Sequence, residues 1–176
     1  MRLMLRKSLS LALLLSSPAL AQPEAGPALF GGLAFHGSEV VATGGEYDSH
    51  GGVFGVDFQL PTSDAFSLNP FASWTVENSE DLANEPSVRH RMVGVEGRAW
   101  FRQLFLGLHA GYFRQVVEGE TYEVSGGGLG WGMSLGVEGS GELFVMGRYV
   151  QAGSLEVWEN QEVDVTGLRV MAGRRF

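Results

Sequence analysis

Three patterns in this sequence could carry chemistry. Gly132-Met133-Ser134-Leu135-Gly136 has the G-x-S-x-G form of a nucleophile elbow. An elbow works only where a strand turns sharply into a helix and lifts the serine hydroxyl clear. Here apolar residues keep alternating through the motif and no helical period follows, so no elbow is expected. Gly126-Gly127-Gly128-Leu129-Gly130-Trp131-Gly132 invites a phosphate-cradle reading. That chemistry needs a helix N-terminus after the glycines, and none is predicted; glycine on a crowded inner face is the expected role. The third pattern is Glu96, His109 and Ser134. Glu96 and His109 are equally far from Arg102-Gln103, so a turn there makes them cross-strand partners and an acid–base–nucleophile relay is conceivable. A narrow interior gives a substrate little access, so a satisfied polar interior is expected instead, with no enzymatic activity and no cofactor.

The charge pattern narrows the partners. Arg2, Arg6 and Lys7 precede an apolar run, Leu9 to Leu15, and Ala19-Leu20-Ala21 follows. These are the three regions of a cleavable export leader, with Gln22 the expected new N-terminus. The run is too short for a spanning helix, which needs about 20 apolar residues. No cysteine follows to take a lipid anchor. Three of twelve cations leave with the leader, so nine arginines face twenty acids, a net charge of −11. Nucleic-acid binding needs clustered positive charge and is not expected. Twelve of the twenty acids lie in segments 38–50, 78–87, 116–126 and 154–163. A solvated loop surface explains them. Divalent-cation binding is the alternative, but no D-x-D-x-D-G spacing supports it. His36, His50 and His90 stand apart in sequence without metal-ligand spacing, so no metal site is expected.

The elements that must position these residues have period two. Runs 28–37, 51–60, 65–77, 88–101, 104–115, 127–138, 142–153 and 164–176 alternate apolar with small or polar residues. The predicted fold is all-β, a closed antiparallel eight-stranded up-and-down transmembrane β-barrel over 22–176, following a leader at 1–21. Alternation alone does not say which face is inside. The polar face carries many glycines and charges, which make a poor dry core. The apolar face carries aromatics toward both ends: Phe35, Trp74, Tyr112 and Tyr149 at one, Phe58, Phe66, Phe101 and Phe176 at the other. Such girdles mark the two lipid interfaces, so the apolar face is predicted to point outward. Short connections at 61–64, 102–103 and 139–141 alternate with the four long ones. Closure is required because lipid cannot satisfy a free strand edge. Pro70 removes a ladder donor in mid-strand, so a bulge is expected there.

The interior charges then need partners. Arg148 and Arg169 are equally far from the middle of the last long loop, so they face each other. Buried arginines need acids. Asp57 and Glu96 are the candidates across the lumen, Glu96 as a shared counter-charge, with Arg98 joining the network.

With signal, strand count, loop alternation and the terminal run Gly167-Leu168-Arg169-Val170-Met171-Ala172-Gly173-Arg174-Arg175-Phe176 in hand, the chain resembles the small outer-membrane β-barrel family, that of the OmpA transmembrane domain and OmpX, over nearly all of 28–176. The resemblance implies location in the cell outer membrane among its lipid and lipopolysaccharide. It implies recognition of Phe176 by the barrel-assembly machinery, although Arg174 stands where the family prefers an apolar residue. A monomer with an envelope-structural or surface-interaction role is expected. The alternatives are a narrow porin-like channel gated by the interior ion pairs and, further off, a lipid-modifying hydrolase, for which no lipid-facing Ser/His/acid set is found.

Overall fold

The computed structural model describes residues 24–41, 43–79, 86–119, 123–139, 142–158 and 161–176. The leader and its cleavage site lie outside the described residues. Eight strands follow one another: β1 (Gly26–Val40), β2 (Gly45–Ser63), β3 (Phe66–Asn78), β4 (Ser87–Phe101), β5 (Leu104–Glu118), β6 (Glu123–Glu138), β7 (Leu143–Trp158) and β8 (Gln161–Arg175). Each pairs with the next, and β8 returns to β1, giving the expected closed antiparallel barrel. Both termini lie at the end with the short connections, since Ala28 pairs with Arg175. That end is called the turn end below, and the opposite one the loop end.

The predicted outward face is outward. Leu29, Leu33, Phe54, Val95, Leu106, Leu108, Leu129, Leu135 and Leu168 are each about half exposed or more, while Asp57, Glu96, Arg98, Arg148 and Arg169 are buried in the lumen. A soluble barrel inverts this arrangement.

The strands run further than the apolar runs suggest. Segment 38–50, read as a loop, is mostly the long hairpin of β1 and β2, with Glu39 opposite Glu46 and His36 opposite Ser49. The 19 residues of β2 climb about 45 Å at about 3.4 Å per residue and a tilt near 45°, against an apolar belt of about 25 Å. The barrel therefore stands well beyond the belt at its loop end. There the polarity of the two faces reverses. In β8, Val163 and Val165 point inward and are buried while Asp164 and Thr166 point outward; in β2, Tyr47 points inward between exposed Glu46 and Asp48. This is the pattern expected where a strand passes from an apolar surrounding into water.

Pro70 makes no bulge. It keeps its place opposite Val95 on β4, and β2–β3 pairing holds the same register on either side of it, at Asp57–Phe71 and Leu60–Leu68. The missing donor falls on the β2 side, where only the local pairing lapses. The register shift between β2 and β3 lies instead at Pro61/Ser63, beside the turn. At the turn between β4 and β5, Arg102 takes φ 59, a conformation usually left to glycine or asparagine in so tight a hairpin.

Glycines on the lumen face have a definite job. Phe30 lies over Gly55, Phe105 over Gly136 and Phe144 over Gly173, each ring packed on its cross-strand partner where any Cβ would collide with it. Eight strands enclose a lumen only about wide enough for side chains, so a large ring needs a neighbour without one. Gly136→Val should cost about 1–3 kcal/mol as overpacking, with Phe105→Leu recovering part of the loss. Denaturant unfolding of the micelle-folded barrel checks this; a neutral Gly136→Val would show that the ring does not rest there.

Candidate functional site

The lumen is layered. At the turn end Phe30, Trp100, Phe105, Phe144, Met146 and Met171 belong to one apolar cluster. Toward the loop end Phe71, Met92, Phe113, Val150, Leu155, Val163 and Val165 form a second, and Tyr47, Val88 and Val117 a third. Two polar networks thread these layers.

The lower network centres on Glu96. Arg98 donates through Nη2 to Asp57 Oδ2 at 2.7 Å and to Glu96 Oε2 at 3.0 Å, and Arg148 donates to the same Glu96 oxygen at 2.5 Å. Ser134 donates to the other Glu96 oxygen. All four charged side chains are fully buried. Arg175, absent from the sequence reading of the interior, extends the chain: it reaches Asp57 Oδ1 at 3.4 Å and Glu138 Oε1 at 3.1 Å. The guanidinium planes are also held by rings, Arg98 4.6 Å from the centre of Phe105 and Arg148 4.3 Å from that of Phe71. Such contacts are worth more when desolvated. Three arginines thus meet three carboxylates, and buried charge is tolerated because it is paired.

Arg148 and Arg169 are Cα partners, as are Glu96 and His109. Arg169, however, does not share Glu96. Its head turns toward the loop end, donating from Nη1 to Ser73 Oγ at 2.9 Å and from Nε to His36 Nε2 at 3.3 Å. Strand tilt separates two adjacent side chains into different layers, which cross-strand counting does not show.

The upper network gathers His36, Glu77 and His90 from β1, β3 and β4. His36 Nδ1 lies 2.6 Å from Glu77 Oε1, His90 Nδ1 lies 3.4 Å from the same oxygen, and Ser49 donates to Glu77 Oε2 at 2.6 Å. Gln115 donates to Ser38 and Tyr47 above them. Sequence reasoning left the histidines apart because 36, 77 and 90 show no local spacing; only barrel closure brings them together.

The relay candidates do not line up. Ser134 donates to Glu96, and neither nitrogen of His109 has a hydrogen-bond partner. His109 instead sets its ring at 89° to Phe71, centroids 5.8 Å apart. A base that touches neither nucleophile nor acid cannot pass a proton between them. At the other candidate position, Phe176 is exposed on the outward face at the turn end, its N–H donating to Pro27 O at 2.9 Å. Arg174 sits beside its ring at 5.3 Å and pairs with Glu142 at 3.3 Å.

These features define a class: the chain has the fold of the small eight-stranded outer-membrane β-barrels. Its sequence matches no protein-family model and no curated protein. Among solved structures it is similar to Ail, the attachment invasion locus protein of Yersinia pestis, in complex with the heparin analogue sucrose octasulfate. The TM-score is 0.60 at 15% identity, covering 87% of this chain and 99% of that one. It is also similar to Neisserial surface protein A, with TM-score 0.61 at 13% identity, covering 87% of this chain and 99% of that one. At such identities the likeness is one of fold.

Proposed function

We propose that this chain is a non-enzymatic, monomeric barrel of the bacterial outer membrane, set among lipopolysaccharide, whose role is envelope-structural or surface-interacting. The observation that carries this is the loop end. There β1, β2 and β8 rise past the apolar belt with their outward faces turned polar, and valines, a leucine and a tyrosine pack in the lumen. A protein serving as a pore has no use for apolar layers across its lumen; one that displays a surface needs a rigid pedestal.

The chemistry displayed is acidic. Glu39, Glu46, Asp48, Glu123, Glu162 and Asp164 are exposed at this end and outnumber the exposed Arg91 and Arg114. Ail was solved with a polyanion, and such a ligand does not suit a carboxylate-rich face; a basic partner suits it better. Phe176, outward at the turn end, fits the assembly signal that the terminal run implies. Topology gives the test, since the chain has no native cysteine. On intact cells a membrane-impermeant maleimide should label Glu46→Cys and Glu162→Cys, and should label Asp64→Cys only after the outer membrane is broken. Labelling of Asp64→Cys on intact cells, or labelling of Glu46→Cys and Glu162→Cys only after breakage, would overturn the assignment.

A further inference from the structure

The upper network has a feature that packing leaves unexplained. His90 is fully buried, yet neither of its ring nitrogens has a hydrogen-bond partner. An unsatisfied buried polar group is costly and calls for a reason. Its Nδ1 lies 3.4 Å from Glu77 Oε1 without the alignment of a hydrogen bond, and the ligating atoms of His36, Glu77 and His90 all lie within 4.8 Å of one another. The two imidazoles meet edge to face at 4.3 Å between centroids, which leaves their Nδ1 atoms converging on one carboxylate oxygen.

We propose that His36, Glu77 and His90 form a binding site for a divalent first-row transition metal ion of the zinc type, inside the barrel near its loop end. The donor set decides the class. Two imidazole nitrogens and one carboxylate suit zinc, cobalt or nickel, whereas calcium and magnesium take six or more oxygens. The spacing fits as well. Bonds of about 2.0–2.1 Å in tetrahedral array put ligand atoms about 3.3 Å apart. The His90–Glu77 distance of 3.4 Å already matches, and the His36–Glu77 distance of 2.6 Å opens once the proton between them is displaced. Ser49 holds the second Glu77 oxygen at 2.6 Å, the outer-shell bond that orients a ligating carboxylate.

Proton accounting identifies an antagonist. Arg169 donates to His36 Nε2, so His36 carries its hydrogen on Nδ1 and gives it to Glu77. Metal binding replaces that hydrogen at Nδ1. One proton moves to Nε2, Arg169 withdraws to its other acceptor, Ser73, and no further group changes state. Arg169 is therefore the metal's competitor, by charge and by hydrogen bond. Removing it should tighten binding, which a merely structural network would not do.

The test uses the untagged barrel folded in detergent micelles, with cobalt(II) as the probe and elemental analysis after gel filtration with zinc. The expected results are visible d–d absorption of a tetrahedral site, about one zinc retained per barrel, and a zinc-dependent rise in unfolding temperature. Glu77→Gln and His90→Phe should abolish all three. His90→Phe keeps a ring against Phe113, which lies 5.2 Å away between centroids, so its heat-modifiable gel migration should persist. Ser49→Ala should weaken binding about 10–100-fold, and Arg169→Met should strengthen it. Absence of cobalt absorption in the folded wild-type barrel would overturn the proposal. So would equal zinc retention in His90→Phe, which would place the ion on the acidic loop end.

Discussion

Glu96→Gln should destabilise the folded barrel by about 3–5 kcal/mol, the cost of breaking a buried charge pair by removing one partner. The loss falls mainly on Arg148. Arg98 keeps Asp57 when Glu96 is neutralised, but Arg148 has Glu96 as its carboxylate partner, and its Nε and Nη1 already lack hydrogen-bond partners. Its remaining support is the rings of Phe71 and Phe30. Removing the orphaned charge as well, with Arg148→Met, should recover part of the stability, and a coupling of about 0.5–3 kcal/mol is expected between the two positions. Arg169→Gln should not couple to Glu96, because Arg169 bonds to His36 and Ser73. Denaturant unfolding in micelles or liposomes reads all of these. Zero coupling between 96 and 148 would dissolve the network. The same variant measures the plug. With apolar layers on either side of Glu96, bilayer conductance should stay at baseline; a rise on neutralising Glu96 would show that the ion pairs close a water path and would favour the channel.

Much of this was legible in the sequence, for identifiable reasons. Side chains of a strand alternate strictly, so once lipid is taken to be outside, Asp57, Glu96, Arg98, Arg148 and Arg169 must be inside. Antiparallel register is anchored by the turn, so counting back from Arg102-Gln103 pairs Glu96 with His109, and counting across the last hairpin pairs Arg148 with Arg169. What counting cannot supply is the third dimension. Which residues meet across the lumen depends on strand tilt and on how β8 closes against β1. That is why Arg169 bonds to His36 and not to Glu96, and why Glu77, inward by the same alternation as Ser73, shows no partner in the sequence. The loop end was misread for another reason. Apolar-outward alternation is the signal for a membrane strand, and it disappears where β1, β2 and β8 run past the apolar belt. Tyr47 and Val163, which fall in the segments 38–50 and 154–163 expected as loops, keep the alternation with its sense reversed. Arg175 went unnoticed as a lumen residue because it was read as part of the terminal run.

The placement of lipid itself is tested by a charge scan along one strand. The outward residues of β5 are Leu104, Leu106, Leu108, Ala110 and Tyr112, rising from the turn end to the loop-end girdle, with Leu106 56% and Leu108 67% exposed. In water these positions would tolerate arginine at little cost, since exposed surface substitutions are usually within ±0.5 kcal/mol. In a bilayer the cost depends on depth, about 2–4 kcal/mol at the midplane and falling to about 0–1 at the interfaces. Arginine at Leu108 should therefore cost about 2–4 kcal/mol. The penalty at Leu104, beside the turn, and at Tyr112, in the girdle, should fall to about 1 kcal/mol or less. The informative quantity is the shape of the profile. Packing defects do not produce a smooth maximum at mid-strand on a face that touches no protein neighbour across it. Unfolding from liposomes, repeated in micelles, supplies the comparison. A peak at Leu106 and Leu108 that flattens in micelles assigns the cost to the hydrocarbon core. A flat profile in liposomes would mean that this face does not meet lipid, and the outward apolar belt would then need a protein partner to cover it.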